Sequence, residues 1–263
     1  MKSMPTSISL ESLKSQMPQA FVEAPSPHLS ERYSFIPTHT ILADLGKLGW
    51  KVREVVNPGY KSEKNQLHGK HLVRLFNPEL HITKGSDVNF IEIALFNSSN
   101  GLSKFRLEVG IFRALCENGM VIKSEDFGSV NLRHKGYSFD SLKKSVEAMI
   151  ARLPEVVGKI NDFSAKVLTD VQVKLLASQA FDLRYGGRKA TDADLADMLK
   201  VRRVGDEGSS LWTVFNRLQE SLIRGGNTVV DARGRMREVK SVKNLDRGLK
   251  INQGLWSLAE SFC

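Results

Sequence analysis

The sequence contains only two cysteines, Cys116 and Cys263. Two thiols cannot build the disulfide framework that supports small secreted proteins, and no cysteine or histidine spacing matches a zinc knuckle. The N-terminus lacks the apolar segment of a signal peptide, and no apolar run approaches the length of a membrane span. We therefore expect a soluble, cytoplasmic protein with no membrane partner.

Motifs for cofactors and metals are also lacking. Gly186-Gly187 and Gly225-Gly226 follow predicted helices, where glycine is typical of a C-cap, whereas phosphate loops open helices. His68 and His71 stand beside a predicted strand without a nearby cysteine or a His-Glu motif. The sequence predicts no metal, no cofactor and no catalytic residue.

Two patterns leave an enzymatic alternative open. Cys116 and His134 have the residue types of a nucleophile and its base, but a buried structural cysteine is the favoured interpretation. Glu92 and Glu108 can face each other on neighbouring strands, as the carboxylates of a metal-dependent hydrolase would. No accompanying motif supports that chemistry, and we interpret both carboxylates as structural.

What the chain has is a change of pattern along its length. Residues 1–30 are rich in serine and proline and predict a mostly flexible arm. Residues 31–137 are rich in strand patterns, and residues 138–263 have helical spacing. We predict an α+β fold, with an antiparallel sheet backed by helices in the N-terminal half, a helical C-terminal half, and both halves packed as one unit.

Local signals support this assignment. Residues 88–97 are β-rich and mostly apolar, as expected for a central strand, and Asn100-Gly101 predicts a hairpin turn into the alternating residues 105–112. Asn118-Gly119 predicts a second tight turn. Helix starts are predicted at Thr38, Thr169, Thr191 with Asp194, and Ser209 or Ser210.

The segment 224–250 carries a large excess of positive charge, with eight basic residues against three acidic ones. It has almost no bulky apolar residue, so we predict that it is mobile and binds a polyanion. Arg233, Arg235 and Arg237 place a positive charge at every second position, and Gly234 between them allows close approach of a phosphate backbone.

Basic residues elsewhere extend this candidate interface. They lie at predicted strand ends and loops, and Tyr185 is a candidate for base stacking. Trp212 and Trp256 fall on apolar helical stripes, which favours the core for both. The predicted nucleic-acid-binding residues are Arg74, Arg106, Arg113, Arg133, His134, Lys135, Arg184, Tyr185, Arg224, Arg233, Arg235 and Arg237.

Several strings are more specific than these patterns. Over about residues 31–260 they resemble the phage- and plasmid-associated family called domain of unknown function 932. The resemblance implies an accessory protein of a mobile element and brings no settled activity. The family's turn usually reads Asn-Ser-His-Asp-Gly, whereas residues 97–101 read Asn-Ser-Ser-Asn-Gly, which argues against an acid/base or metal site there. The strings are residues 31–38, 95–119, Arg133-His134-Lys135-Gly136, Arg184-Tyr185-Gly186, 211–226 and 252–260.

The combined expectation is a non-enzymatic DNA-binding accessory protein of a phage, plasmid or integrative element. Single-strand binding or annealing in recombination is the role that we expect, and a homo-oligomer is compatible with it. One alternative is a protein–protein modulator that inhibits a host defence or repair enzyme through the same basic loops. A metal-dependent hydrolase is the other alternative.

Overall fold

The computed structural model describes residues 5–31, 33, 35–58, 60, 62–84, 87–101, 103, 105–113, 118–121, 137–230 and 234–263. The chain forms two compact units, Met1–Arg152 and Leu153–Cys263. Each unit has its own set of buried apolar side chains. The first unit contains a sheet and helices and the second is mainly helical, which confirms the predicted α+β class.

The sheet of the first unit is an antiparallel meander whose strands pair in chain order. The predicted central strand is confirmed as the third of the five strands that the described residues form. Asn118 and Gly119 were predicted to form a turn, but they pair with Arg113 and Phe112 as the start of the last strand. The strands are β1 (Lys51–Val56), β2 (His71–Lys84), β3 (Asp87–Asn97), β4 (Arg106–Arg113) and β5 (Asn118–Val121).

One face of this sheet is apolar because β-branched and leucine side chains occupy alternate positions on paired strands. Val73 pairs with Leu95, which pairs in turn with Leu107, and all three are fully buried. Ile91 and Ile111 form another buried pair on the same face. Such cross-strand pairs fix the register, since a slip of one residue would move every apolar side chain to the other face.

Four helices accompany the sheet in the described part of the first unit. Thr38 is the first residue of its helix and Pro37 holds the N-cap position, one residue earlier than predicted. The Thr38 hydroxyl lies 2.9 Å from His71 Nε2 and accepts a hydrogen bond from Asn97 Nδ2 at 2.9 Å. It therefore joins the helix to β2 and β3. The helices are α1 (Leu10–Gln16), α2 (Thr38–Lys47), α3 (Glu63–His68) and α4 (Phe139–Ala151).

The described part of the N-terminal arm is packed, whereas we predicted a mostly flexible segment. Leu13, Met17 and Ala20 are fully buried. The Ile8 amide donates to the Val52 carbonyl at 2.7 Å, and the Ser26 amide donates to the Ser99 carbonyl at 2.8 Å. Serine and proline content misled the prediction, because three small or apolar side chains suffice to dock a short arm when the backbone is also hydrogen-bonded.

In the second unit, the residues that the structure describes form five α-helices and a two-stranded hairpin. Its core is aromatic: the Phe163 ring lies 5.0 Å from Trp256, and Trp212 stacks on Phe215 at 5.8 Å. Both tryptophans are buried, as their apolar stripes predicted. The elements are α5 (Leu153–Ala165), α6 (Asp170–Tyr185), α7 (Asp192–Met198), α8 (Leu211–Ile223), β6 (Thr228–Val230), β7 (Met236–Glu238) and α9 (Leu245–Glu260).

Capping residues set the starts of these helices. Thr169 and Thr191 form complete capping boxes with Gln172 and Asp194, and Ser210 caps α8. These N-caps agree with the sequence predictions because the signal is local. Among the described residues, none of the helices combines the length and the apolar composition needed to cross a bilayer.

The described part of the basic segment 224–250 is folded, which corrects the prediction of a mobile segment. The Gly226 amide donates to the Val239 carbonyl at 2.8 Å, and the Val239 amide donates to the Asn227 carbonyl at 2.7 Å. Val239 is buried. Residues 228–230 and 236–238 form the hairpin, and the segment ends within α9. Backbone pairing orders a stretch that has too few apolar side chains to build a core.

Gly225 and Gly226 provide a matched test of this anchoring. Both have φ near +75°, at 77° and 75°. A Cβ at Gly225 would overlap the Val239 carbonyl group, whereas one at Gly226 meets nothing within 4 Å. Gly226→Ala should lower the free energy of unfolding by about 1 kcal/mol, the cost of a left-handed backbone. Gly225→Ala should cost about 2 kcal/mol more, because the overlap adds to that cost.

Urea unfolding followed by tryptophan fluorescence measures both variants. Equal losses in the two variants would show that the hairpin is not held against Gly225 in solution.

Candidate nucleic-acid interface

Two carboxylates of α7 hold the outer edge of β6. Asp197 Oδ2 accepts hydrogen bonds from the Thr228 amide at 2.5 Å and from its hydroxyl at 3.0 Å. Asp194 Oδ1 accepts from the Val230 amide at 3.3 Å. A two-stranded ribbon is marginal in water by itself, so these bonds tie it to the helical core.

Asp194 also joins the hairpin to the end of α6. Burial raises the pKa of Asp194, but hydrogen bonds from Thr191 and Val230 and the charge of Arg188 together hold it below its ordinary value. The Arg188 guanidinium lies 3.0 Å from Asp194 Oδ2 and donates to the Val230 carbonyl. Sequence analysis found Asp194 only as a capping residue, because its contact with β6 is not visible in a local pattern.

Arg184, a predicted phosphate contact, is used inside the second unit. Its guanidinium donates to the carbonyls of Ser221, Leu222 and Lys240. Arg247 in turn donates to the Arg184 carbonyl at 2.6 Å. Arg184 thus fixes the chain after β7 to the end of α8, and its role is to position the basic segment.

Tyr185, the predicted stacking residue, packs internally. Its ring centroid lies 4.4 Å from that of Phe181, and the guanidinium carbons of Arg184 and Arg188 lie 5.6 and 5.5 Å from the Tyr185 ring. Arg188 also lies 4.7 Å from the Phe181 ring. Cation–π contacts of this kind hold both arginines near the hairpin.

Several exposed cations lie on and beside the hairpin. Arg235 and Arg237 flank Met236 in and next to β7, Lys240 follows the hairpin, and Lys200 lies two residues after α7. Lys200 and Met236 line the same groove between α7 and the hairpin. Exposed cations on an ordered frame suit contacts with phosphates. We call Lys200, Arg235, Arg237 and Lys240 the hairpin surface.

Of the predicted residues, Arg235 and Arg237 belong to this surface. Arg224 is exposed at the C-cap of α8. Arg106 is half-buried in the first unit, with its guanidinium 5.2 Å from the Phe96 ring. Arg113 ends β4 opposite Asn89. Arg133, His134, Lys135 and Arg233, together with Cys116, lie outside the described residues.

Arg74 is buried in the first unit and does not fit the predicted interface. It is 9% exposed and forms an ion pair with Glu92, which is fully buried and also accepts from Arg53 at 2.9 Å. Sequence reasoning treated Arg74 as a surface charge because its buried partner lies 18 residues away. Breaking a buried pair leaves an uncompensated charge, so Arg74 serves the fold.

Glu92 and Glu108 lie on the same face of the sheet, as predicted for neighbouring strands. They are not directly opposite: Glu92 pairs with Gly110, and Glu108 pairs with Ala94. Arg53 and Arg74 donate hydrogen bonds to Glu92, whereas Glu108 Oε2 has no hydrogen-bond partner among the described residues. No cluster of three or more histidine, cysteine or acidic side chains in the described part of the chain has metal-binding geometry.

Two histidines of the first unit are likewise held by polar neighbours. His71 is 2% exposed, and burial lowers its pKa to about 4, although a hydrogen bond to the Gly69 carbonyl opposes that shift. His68 Nδ1 lies 2.8 Å from the Ser99 hydroxyl. The Ser99 amide and carbonyl are both bonded, to His68 and Ser26, and the side chain is buried, so this pair joins segments of backbone.

Glu108 predicts a pH dependence of stability. Burial raises the pKa of Glu108 from 4.5 to about 7, although Arg106 opposes the shift. The folded state then holds the proton more tightly than the unfolded state, so this contribution to stability is present below pH 4.5 and is lost as pH rises through 7. Relative to Glu108→Gln, the wild-type free energy of unfolding should fall by about 2–3 kcal/mol between pH 4.5 and 8.

Urea titrations of both proteins across this range measure the difference. Parallel pH profiles for the wild type and Glu108→Gln would show that the folded protein leaves the pKa of Glu108 near its ordinary value.

Comparison with known proteins finds relatives that align with nearly the whole chain. Two curated proteins of Escherichia coli (strain K12), "UPF0380 protein YfjQ" and "UPF0380 protein YafZ", are each 32% identical to it over 251 residues. Each alignment covers 95% of this chain and 90% of the relative. No solved structure gives a significant match. The model of the family described as "Domain of unknown function (DUF932)" matches residues 27–256, and the chain therefore belongs to this family.

Proposed function

We propose that this protein binds nucleic acid through the hairpin surface, with single-stranded DNA as the preferred partner and without catalysing a reaction. In this proposal it acts in the cytoplasm as an accessory protein of a phage, plasmid or integrative element, in single-strand binding or annealing. The observation that carries the proposal is the set of exposed cations on a hairpin whose edge is fixed by Asp194, Asp197 and Arg188.

The division of labour among the basic residues supports this proposal. Arg184 donates to three carbonyl groups of the protein, Arg188 donates to the Val230 carbonyl and pairs with Asp194, and Arg203 pairs with Glu220 at 2.8 Å. Arg235, Arg237 and Lys240 are exposed on and beside the hairpin. Phosphate contacts position a nucleic acid without reading bases, and a fixed frame lowers the entropy lost on binding.

The surroundings of Glu92 and Glu108 in the first unit support a non-enzymatic role. Glu92 is neutralised by Arg53 and Arg74, so it does not offer a free carboxylate to a metal ion. Glu108 is 2% exposed and lies beside Arg106, which also disfavours a cation there.

The first test removes three charges of the hairpin surface. Arg235, Arg237 and Lys240 changed together to alanine should weaken binding to single-stranded DNA of every sequence, because the lost contacts are to phosphates. Each lost contact should flatten the slope of log affinity against log salt by about 0.7, so three contacts change it by about 2. Fluorescence anisotropy with labelled oligonucleotides at about 50–200 mM salt gives both quantities.

A matched control removes three exposed lysines elsewhere: Lys143, Lys144 and Lys174 changed to alanine. This control has the same net charge as the first variant and should keep the wild-type slope. Equal slopes in the two variants would contradict a local interface and leave only an effect of net charge. Binding that is competed equally well by an acidic protein would instead favour a protein partner.

A further inference from the structure

Helix α6 is apolar on two sides. One side packs into the core of the second unit through Leu176, Ala180 and Phe181, which are all buried. On the opposite side, Val171 is 76% exposed and Leu175 is 50% exposed. A surface helix of a globular protein normally has one apolar stripe and a polar outer face. A second, uncovered apolar stripe is typical of a surface that a partner covers.

Exposed apolar side chains are concentrated at this end of α6. The described residues contain seven large apolar side chains that are exposed, and three of them lie within residues 167–175. Val167 precedes the N-cap residue Thr169, and Val171 and Leu175 lie one turn apart on the same face of the helix. We call Val171 and Leu175 the α6 patch.

Two exposed charges of opposite sign lie beside the α6 patch. Asp170 and Lys174 are also four residues apart, so they form a row next to the row of Val171 and Leu175. Neither charge has an ion-pair partner among the described residues. The row therefore offers one negative and one positive charge to a partner.

The two rows are self-complementary when two helices pack antiparallel. About a two-fold axis, residues face each other if they lie equally far from the axis on opposite sides. An axis between residues 172 and 173 brings Val171 to the level of Leu175 of the second copy within about 1.5 Å, one helical rise. The same axis brings Asp170 equally close to the level of Lys174 of the second copy. Two-fold symmetry makes each of these contacts twice.

Other occupants match this surface less well. A polyanion would meet Asp170 beside Lys174, and an uncharged apolar ligand would leave both charges unused. A second copy uses the apolar row and both charges, and dimers with two-fold symmetry are the commonest assemblies of soluble proteins.

We infer that two copies of this protein associate through antiparallel α6 helices, with the α6 patch at the centre and Asp170–Lys174 pairs at the rim, an inference that does not depend on nucleic-acid binding. The apolar contact supplies the affinity, and the charges at the rim determine the orientation of the two helices. The surface is small, so the dimer forms reversibly as the protein concentration rises.

Sedimentation velocity over a wide range of protein concentration measures the association. The wild type should pass from monomer to dimer as the concentration rises. Val171→Gln with Leu175→Gln should stay monomeric over the same range, because the apolar contact is lost. Circular dichroism should show the wild-type fold for this variant, since exposed positions tolerate polar side chains. A matched control, Leu67→Gln with Val201→Gln, removes two other exposed apolar side chains and should dimerise like the wild type.

An exchange of charges tests the antiparallel arrangement. Asp170→Lys alone or Lys174→Glu alone places like charges together across the axis, and each should weaken the dimer by about 10-fold. The double variant restores opposite charges and should recover the wild-type affinity. Lys174→Ala removes only an exposed pair, which contributes little, and should leave the dimer nearly intact.

Three results would overturn the inference. The first is a wild type that stays monomeric at every concentration, which would leave the α6 patch to a different protein. The second is a dimer that survives Val171→Gln with Leu175→Gln or that the matched control also loses. The third is a double charge variant that associates no better than the single variants, because antiparallel helices require its recovery.

Discussion

Hydrogen bonds from the outer edge of β6 to the carboxylates of α7 determine where the basic segment of this protein lies. Three-residue strands bury too little surface to hold a hairpin in place. Asp194 and Asp197 satisfy amides that would otherwise face water, and Arg188 satisfies the Val230 carbonyl from the end of α6. Three side chains from the helical core thereby convert a short ribbon into a fixed element.

Arginine and lysine are used differently in the second unit. Its planar group carries five donors, so one half-buried guanidinium can satisfy several carbonyls at once, as Arg184 does for α8 and the chain after β7. Lysine offers a single mobile charge, and Lys200 and Lys240 remain exposed. A count of basic residues along the sequence cannot distinguish side chains that donate to the protein's own carbonyl groups from exposed side chains. Only exposed basic side chains can contribute to a surface for polyanions.

Much of the fold follows from local signals. The helix caps at Thr169 and Thr191, the central strand and the positive φ of Gly225 each depend on a few neighbouring residues, and these features agree with the sequence predictions. Long-range contacts could not be predicted in this way. The Arg74–Glu92 pair and the docking of the N-terminal arm depend on segments that are distant in sequence.

The candidate interface was likewise predictable where it depends on local sequence and not where it depends on long-range contacts. Charge composition pointed to the segment 224–250 and to Arg235 and Arg237, which are exposed in the structure. It gave no indication of the groove, because α7 and the hairpin meet only in the folded chain. Arg184 and Tyr185 were selected for their chemistry, but their neighbours on α8 and α6 engage them internally.

The N-terminal arm has a consequence for the behaviour of the sheet edge. β1 is an outer strand of the meander, and such a strand exposes unpaired carbonyl and amide groups that can pair with another chain. The Ile8 amide donates a hydrogen bond to one of these groups, the Val52 carbonyl. The side chains of Leu13 and Met17 in the same arm are buried. The described part of the arm thus covers one of the hydrogen-bonding groups through which this outer strand could pair with another chain, and it does so without forming an additional strand.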